Sequence, residues 1–346
     1  MSSASLRDAA NVLSWRPASV EACVAEEGGQ DARSGARRLG RFRLNVSDAA
    51  LNWIALGVLV VVWGSAFAAI SIGVETISPY WMVAGRLVFG AMFIGVWLAG
   101  RAVARGGAAP ATRTAVAWPA IGWFSLVGIA FTAIPFVMYG MAAESIDSAV
   151  LAISNGGTPF FTAIFAHAFI AGDKLTPRRA IGVGLGFAGL GLLVGPEAMK
   201  GAGGHVGGLA LGIIGAALYA GGNVATRLAP HISPVVSTLI LSVAGGAFVV
   251  PVAIGAAPFP VDASLASIIA VIFLALGPTA MAMILYVWLI QRAGPVFVSF
   301  STYLSPLWAA GIGVLFLDEP VSWSMAAALG LIFTGVAIAS RRPRGG

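Results

Sequence analysis

The chain has 346 residues, 58% of them hydrophobic and only 10% charged, with a formal net charge of +6 and a mean hydropathy of +0.91. Soluble domains carry roughly 25% charged residues, so an ordinary water-soluble fold is excluded. The single cysteine, Cys23, rules out an intrachain disulfide and a thiolate metal cluster, and neither metal nor cofactor is expected.

Residues 1–50 form a charged tail rich in Ala, Ser and Gly, with no apolar run of signal-peptide length. The expectation is a disordered cytoplasmic segment without chemistry of its own. Crossing the hydrocarbon core takes roughly 20 apolar residues. Ten candidate spans follow, at roughly 53–74, 79–100, 116–142, 148–171, 177–195, 206–226, 234–256, 264–290, 295–316 and 321–340, before a short tail at 341–346. Pro79, Pro234 and Pro295 sit at predicted helix starts, where a missing amide proton matters little. Trp53, Trp81, Trp118 and Trp323 lie near span ends, as interfacial aromatics do.

Loop charge orients the spans. Arginines and lysines of the N-terminal tail, of alternate loops and of residues 341–346 place 18 cations on one side. The opposite loops hold Glu75, Glu144, Asp147, Glu197, Asp262, Asp318 and Glu319 with one cation, Lys200. Cations stay cytoplasmic, which puts both termini inside and requires an even number of spans. The same distribution explains the net positive charge without any nucleic-acid partner.

The second five spans look like a diverged copy of the first five. Ile77-Ser78-Pro79 returns as Ile232-Ser233-Pro234, and Tyr139–Pro159 aligns without gaps on Tyr286–Pro306, 147 positions later. Residues 51–196 and 205–340 are thus read as two repeats. A repeat with an odd number of spans must insert upside down relative to its mate, the architecture of secondary transporters.

Several motifs stand in order along the two halves: Trp63-Gly64-Ser65, Arg86-Leu87 and Thr158-Pro159 before Gly172-Asp173-Lys174-Leu175 in the first, and Ser305-Pro306 before Leu317-Asp318-Glu319-Pro320 in the second. With these, residues 52–340 resemble the EamA family of the drug/metabolite transporter superfamily. The resemblance implies an all-α membrane protein of ten transmembrane helices, two inverted five-helix repeats around a central cavity, with helices 5 and 10 in support. It also implies a bacterial inner-membrane exporter of small metabolites, with amino acids and their derivatives as the leading class. The alternatives are a carrier of a drug-like amphiphile or lipid-linked sugar, and a membrane scaffold or sensor without flux. One departure is Tyr219-Ala220-Gly221 where a copy of Trp63-Gly64-Ser65 is expected, which makes the cavity asymmetric.

Candidate substrate contacts cluster where the spans are irregular. Span 4 carries Ser154-Asn155-Gly156-Gly157-Thr158-Pro159 near its middle. Two glycines and a proline weaken the backbone ladder, and the freed groups need partners at membrane depth. Span 9 offers Ser301, Thr302, Tyr303, Ser305 and Pro306, so breaks are expected at equivalent positions of both halves, the mark of a midplane site. The competing reading has these hydroxyls satisfying nearby backbone while the prolines merely kink. Within the spans, Trp63, Tyr139, Tyr219, Tyr286 and Trp288 supply rings for an amphiphilic substrate, accompanied by Ser65 and Asn223. Arg86 is the only basic residue well inside a span, a candidate counter-charge for a substrate carboxylate or else a snorkelling side chain. His167 is a candidate proton site or a hydrogen-bonded packing residue.

No Asp or Glu occupies a span interior, which argues against strong proton coupling. There is no phosphate-binding Gly-rich loop with a Lys, so no ATP-driven pump is expected, and no enzyme-like nucleophile–base set. Gly182-xxx-Gly186 and Ala326-xxx-Gly330 read as helix-packing grooves in a monomer or homodimer.

Overall fold

The computed structural model describes residues 48–104, 118–171, 175–199, 203–230, 232–293, 300–319 and 322–340. Residues 1–47 of the N-terminal tail, Lys174, Lys200, Pro295 and the residues after Ser340 lie outside them, whereas Asp48–Ala50, expected to belong to a disordered tail, already form the start of the first helix. Among the described residues every regular element is helical. Spans 1 and 2 are α1 (Asp48–Val74) and α2 (Pro79–Ala104). Span 3 is α3 (Trp118–Gly128), a π-helical segment (Ile129–Ala133) and α4 (Ile134–Ala143). Span 4 is α5 (Ser148–Asn155) and α6 (Thr158–Phe169). Then come α7 (Pro177–Met199), α8 (Gly203–Leu228) and α9 (Pro234–Ala256). Span 8 is α10 (Leu265–Leu274), a second π-helical segment (Ala275–Met281) and α11 (Ala282–Ala293), and α12 (Phe300–Phe316) and α13 (Trp323–Ser340) complete the ten. Among the described residues, seven of these spans are long and apolar enough to cross a membrane, with shorter apolar helices at Leu304–Phe316 and Trp323–Ile338. Large side chains such as Val96, Ile254 and Leu315 are exposed, at 72%, 67% and 75%. A belt of this kind suits lipid, not water.

The helices pair in a pattern that only a two-fold relation between the halves produces. Span 5 packs on span 10 (α7 on α13), span 2 on span 7 (α2 on α9), and span 4 on span 9 (α5 on α12), each helix meeting its own repeat mate. The remaining contacts come in mated couples. Span 1 meets span 9 while span 6 meets span 4, and span 1 meets span 8 while span 6 meets span 3. Span 3 meets span 7 while the second π segment of span 8 meets α2. With five spans in each half, the axis relating them lies in the membrane plane.

Small residues set how closely the halves approach. A Cβ on Gly335 would fall 2.5 Å from the Gly182 carbonyl oxygen, and one on Gly189 would fall 3.0 Å from that of Ala328. A Cβ on Gly186 would collide with the Phe160 ring. The expected groove on span 10 needs correction: a Cβ on Gly330 meets nothing, and Ala326 and Gly330 are exposed. The contact instead runs through Ala328 and Gly335, seven positions apart and so on one helix face.

Span 4 breaks where Gly156 and Gly157 separate α5 from α6. The equivalent break expected in span 9 is absent, because α12 runs unbroken through Pro306. No glycine pair precedes that proline, and Ser305 Oγ donates to the Ser301 carbonyl at 2.7 Å, keeping the turn bonded. The irregularities that do repeat are the two π segments: Ile129–Ala133 shifted by 147 positions falls inside Ala275–Met281.

Candidate functional site

Each π segment places a threonine in the same bonded pose. Thr132 Oγ1 donates to the Val127 carbonyl at 3.4 Å, and its mate Thr279 donates to the Leu274 carbonyl at 2.8 Å. A π turn widens the helix and turns one residue out of register, and such turns recur at functional sites. With its proton committed to Leu274, the Thr279 oxygen is left as an acceptor, and Arg86 Nε donates to it at 2.8 Å. The guanidinium lies over the Phe136 ring, 3.7 Å from its centroid. A desolvated cation–π contact of this kind contributes about 2 kcal/mol. Among the described residues the buried Arg86 is thus held by one acceptor and one ring face, with no carboxylate in contact.

Aromatic side chains of the neighbouring spans come as repeat mates. Trp63 on α1 stacks on Tyr286 of α11, with centroids 5.3 Å apart and a 50° tilt. Trp63 Nε1 also donates to the Pro278 carbonyl at 3.4 Å, a group next to Thr279. The mates of this pair are Tyr219 on α8 and Tyr139 on α4, both within electrostatic range of Arg86. Tyr286 is within range of Tyr219 in turn. Gly215 makes room for the Tyr139 ring, since a Cβ there would lie 2.8 Å from it. Tyr139 donates its hydroxyl proton to Asn155 Oδ1 at 2.7 Å, so the break in span 4 is tied to span 3. Thr158 Oγ1 donates to the Asn155 carbonyl at 2.7 Å and lies 3.1 Å from Asn155 Oδ1, closing the break.

Trp63, Arg86, Tyr139, Asn155, Thr158, Tyr219 and Tyr286 therefore come together. The other candidates do not join them by any described contact. Ser154 is fully buried and donates to the Val150 carbonyl of its own helix at 2.9 Å. Ser301 and Ser305 are likewise buried, with Ser305 bonded within α12. Ser65 accepts from Trp308 Nε1 at 2.9 Å, beside Gly64, where a Cβ would sit 2.8 Å from the Ser305 carbonyl oxygen. This corner fastens span 1 to span 9. Asn223 is exposed on α8. Trp288 is 36% exposed, with Arg292 over its ring 5.3 Å from the centroid, at the end of α11. The side chains of Thr302 and Tyr303 lie outside the described residues. His167 is exposed at the end of α6, where its Nδ1 accepts from the Leu175 backbone N–H at 3.2 Å.

Thr279 and Phe136, the partners of Arg86, are absent from the sequence-derived set. The one available signal was the 147-residue offset that superposes Thr132 on Thr279, together with Pro278 in mid-span.

A family model described as the EamA-like transporter family matches residues 51–195 and again 206–341. The inner membrane transporter YedA of Escherichia coli strain K12 is 26% identical over 290 residues, covering 82% of this chain and 89% of that protein. YedA of Escherichia coli O157:H7 matches to the same extent. A crystal structure with a TM-score of 0.56 and 21% identity covers 85% of this chain and 98% of its own, a likeness of fold.

Proposed function

The chain belongs to the EamA-like transporter family, and from that premise we propose that it is a secondary transporter exporting a small metabolite across the bacterial inner membrane by alternating access. Amino acids and their derivatives are the leading substrate class. The inner membrane is the location in the name of YedA, and the cytoplasmic termini follow from the 18 cations on one side. One observation carries the reading. Arg86 is bonded to Thr279, next to the Pro278 carbonyl that receives Trp63, and lies over Phe136, one turn from the Tyr139 that is bonded to Asn155 at the interruption of span 4. Rocking one half against the other would present such a centre to each side of the membrane in turn. The full chain in proteoliposomes should exchange a radiolabelled amino acid or derivative across the bilayer. A deletion strain should retain a metabolite that an overexpressing strain releases. No flux in either assay, for any member of a broad metabolite panel, would leave a scaffold as the better reading.

A further inference from the structure

The donors and acceptors around Arg86 are unbalanced. Nε is used by Thr279, whereas neither Nη nitrogen has a partner among the described residues. Nor is either one sealed from solvent: the buried side-chain atoms without a partner are Ser71 Oγ and Ser148 Oγ alone. The end of the guanidinium fork, a pair of donors matched to the two oxygens of a carboxylate, thus keeps unused hydrogen-bonding capacity. The phenol hydroxyls of Tyr219 and Tyr286 are in the same condition, unpaired and unsealed among the described residues.

Among the described residues nothing answers the charge. The chain has carboxylates only in its tail, its loops and the ends of its spans. The second half supplies no matching cation either. Applying the 155-residue offset of the Ile-Ser-Pro triplets, the mate of Arg86 is Leu241, which lies directly against Gly128. The site therefore carries a fixed charge of +1 with unused donors, against the face of Phe136. A cationic substrate would be repelled. A zwitterion would bring an ammonium for which the spans provide no carboxylate.

We propose that the transported species is a monoanionic carboxylate with an apolar body, held by the two Nη nitrogens of Arg86 and exported as the anion, with the membrane potential as its driving force. This rests on the export reading and narrows it to derivatives that lack a charged amine. Arginine stays protonated throughout, so each complete cycle moves one net negative charge. Across an inside-negative membrane that charge drives outward movement, equivalent to a concentration ratio of about 50 for every 100 mV. No titrating carboxylate is needed for such a cycle.

The test reconstitutes the full chain in liposomes and compares three labelled probes that share one ring: N-acetyl-L-phenylalanine, L-phenylalanine and phenyltrimethylammonium. Protein-free vesicles give the baseline, and potassium with valinomycin sets the potential. The N-acetylated anion should move fastest, the cation not at all, and a potential negative on the loaded side should speed its exit. Arg86→Gln should lower anion flux about tenfold or more, the loss expected for one charge-assisted contact, and Arg86→Lys should restore part of it. Thr279→Val leaves the charge but removes its guide, so it should raise KM more than it lowers kcat. This variant and the wild-type probe comparison keep the proposal exposed even if Arg86→Gln does not fold. Phenylalanine moving as fast as its N-acetyl derivative, indifference to potential, or full anion flux in Arg86→Gln would each overturn the proposal while leaving export intact. Movement of none of the probes would overturn it, and full activity on the wider metabolite panel would then show that export itself stands.

Discussion

Tyr286 separates a packing role from a binding role within one side chain. Its ring is stacked on Trp63, while its hydroxyl has no partner among the described residues. Tyr286→Phe should therefore leave thermal stability in detergent unchanged, and a fall in flux would report a contact to substrate. Tyr286→Ala also removes the stack, worth about 0.5–1.5 kcal/mol, and should lower the melting temperature as well. Asn155 sits at the opposite pole, because Tyr139 and Thr158 both converge on it. Its loss should cost about 0.6 kcal/mol, the average for a hydrogen bond between membrane helices. Flux in Asn155→Ala should fall by more than that small destabilisation accounts for. Both residues were legible in the sequence, Tyr286 as the repeat mate of Tyr139 and Asn155 as an amide at a weakened point of a span. Thr279 was not, because its role depends on a π turn and on a contact 193 positions away.

At the scale of elements, glycine spacing alone identified the right helices but the wrong face of one. Gly182 and Gly186 do lie in the groove between α7 and α13, whereas on α13 the close approach is at Gly335 and not at Gly330. Gly335→Leu should overpack the groove at a cost of about 1–3 kcal/mol, while Gly330→Leu should be silent, and thermal unfolding in detergent distinguishes them. The span boundaries were legible because an apolar run of membrane length leaves few choices. The break in span 4 was legible because Gly-Gly-Thr-Pro supplies both breakers together. The π segments announce themselves by no comparable run of residues. A second unforeseen element is the end of α12. The Leu317 and Glu319 backbone N–H groups both donate to the Gly313 carbonyl at 3.1 Å, with Asp318 left-handed at φ 52°. This termination throws the Glu319 carboxylate onto the start of α5, where it accepts from the Ser148 and Ala149 backbone N–H groups at 2.8 and 3.0 Å. A carboxylate at a helix N-terminus contributes about 0.3–2 kcal/mol, so Glu319→Gln should speed amide exchange through the first turn of α5. Unchanged exchange there would mean that the start of α5 is held by its packing alone.

The whole molecule is an argument about parity. Five spans per half, mated contacts between the halves and a Glu319 carboxylate reaching from the second repeat to span 4 of the first all require the 3–4 and 9–10 loops to share one side. In the orientation we propose that side is the exterior, since Glu144, Asp147, Asp262, Asp318 and Glu319 lie there and the arginines do not. A reporter active only in the periplasm should therefore give signal when fused after Lys200 or Asp262 and none after Arg105 or Arg341. The two pairs test different steps. Reversal of all four signals would keep ten spans and invert the protein, contradicting the charge argument alone. Signal at Arg341 with none at Arg105 would demand an odd number of crossings between them. Spans 2 and 7, and 4 and 9, could not then be related by an axis in the membrane plane, and the paired arrangement of Trp63, Tyr286, Tyr219 and Tyr139 would lose its symmetry.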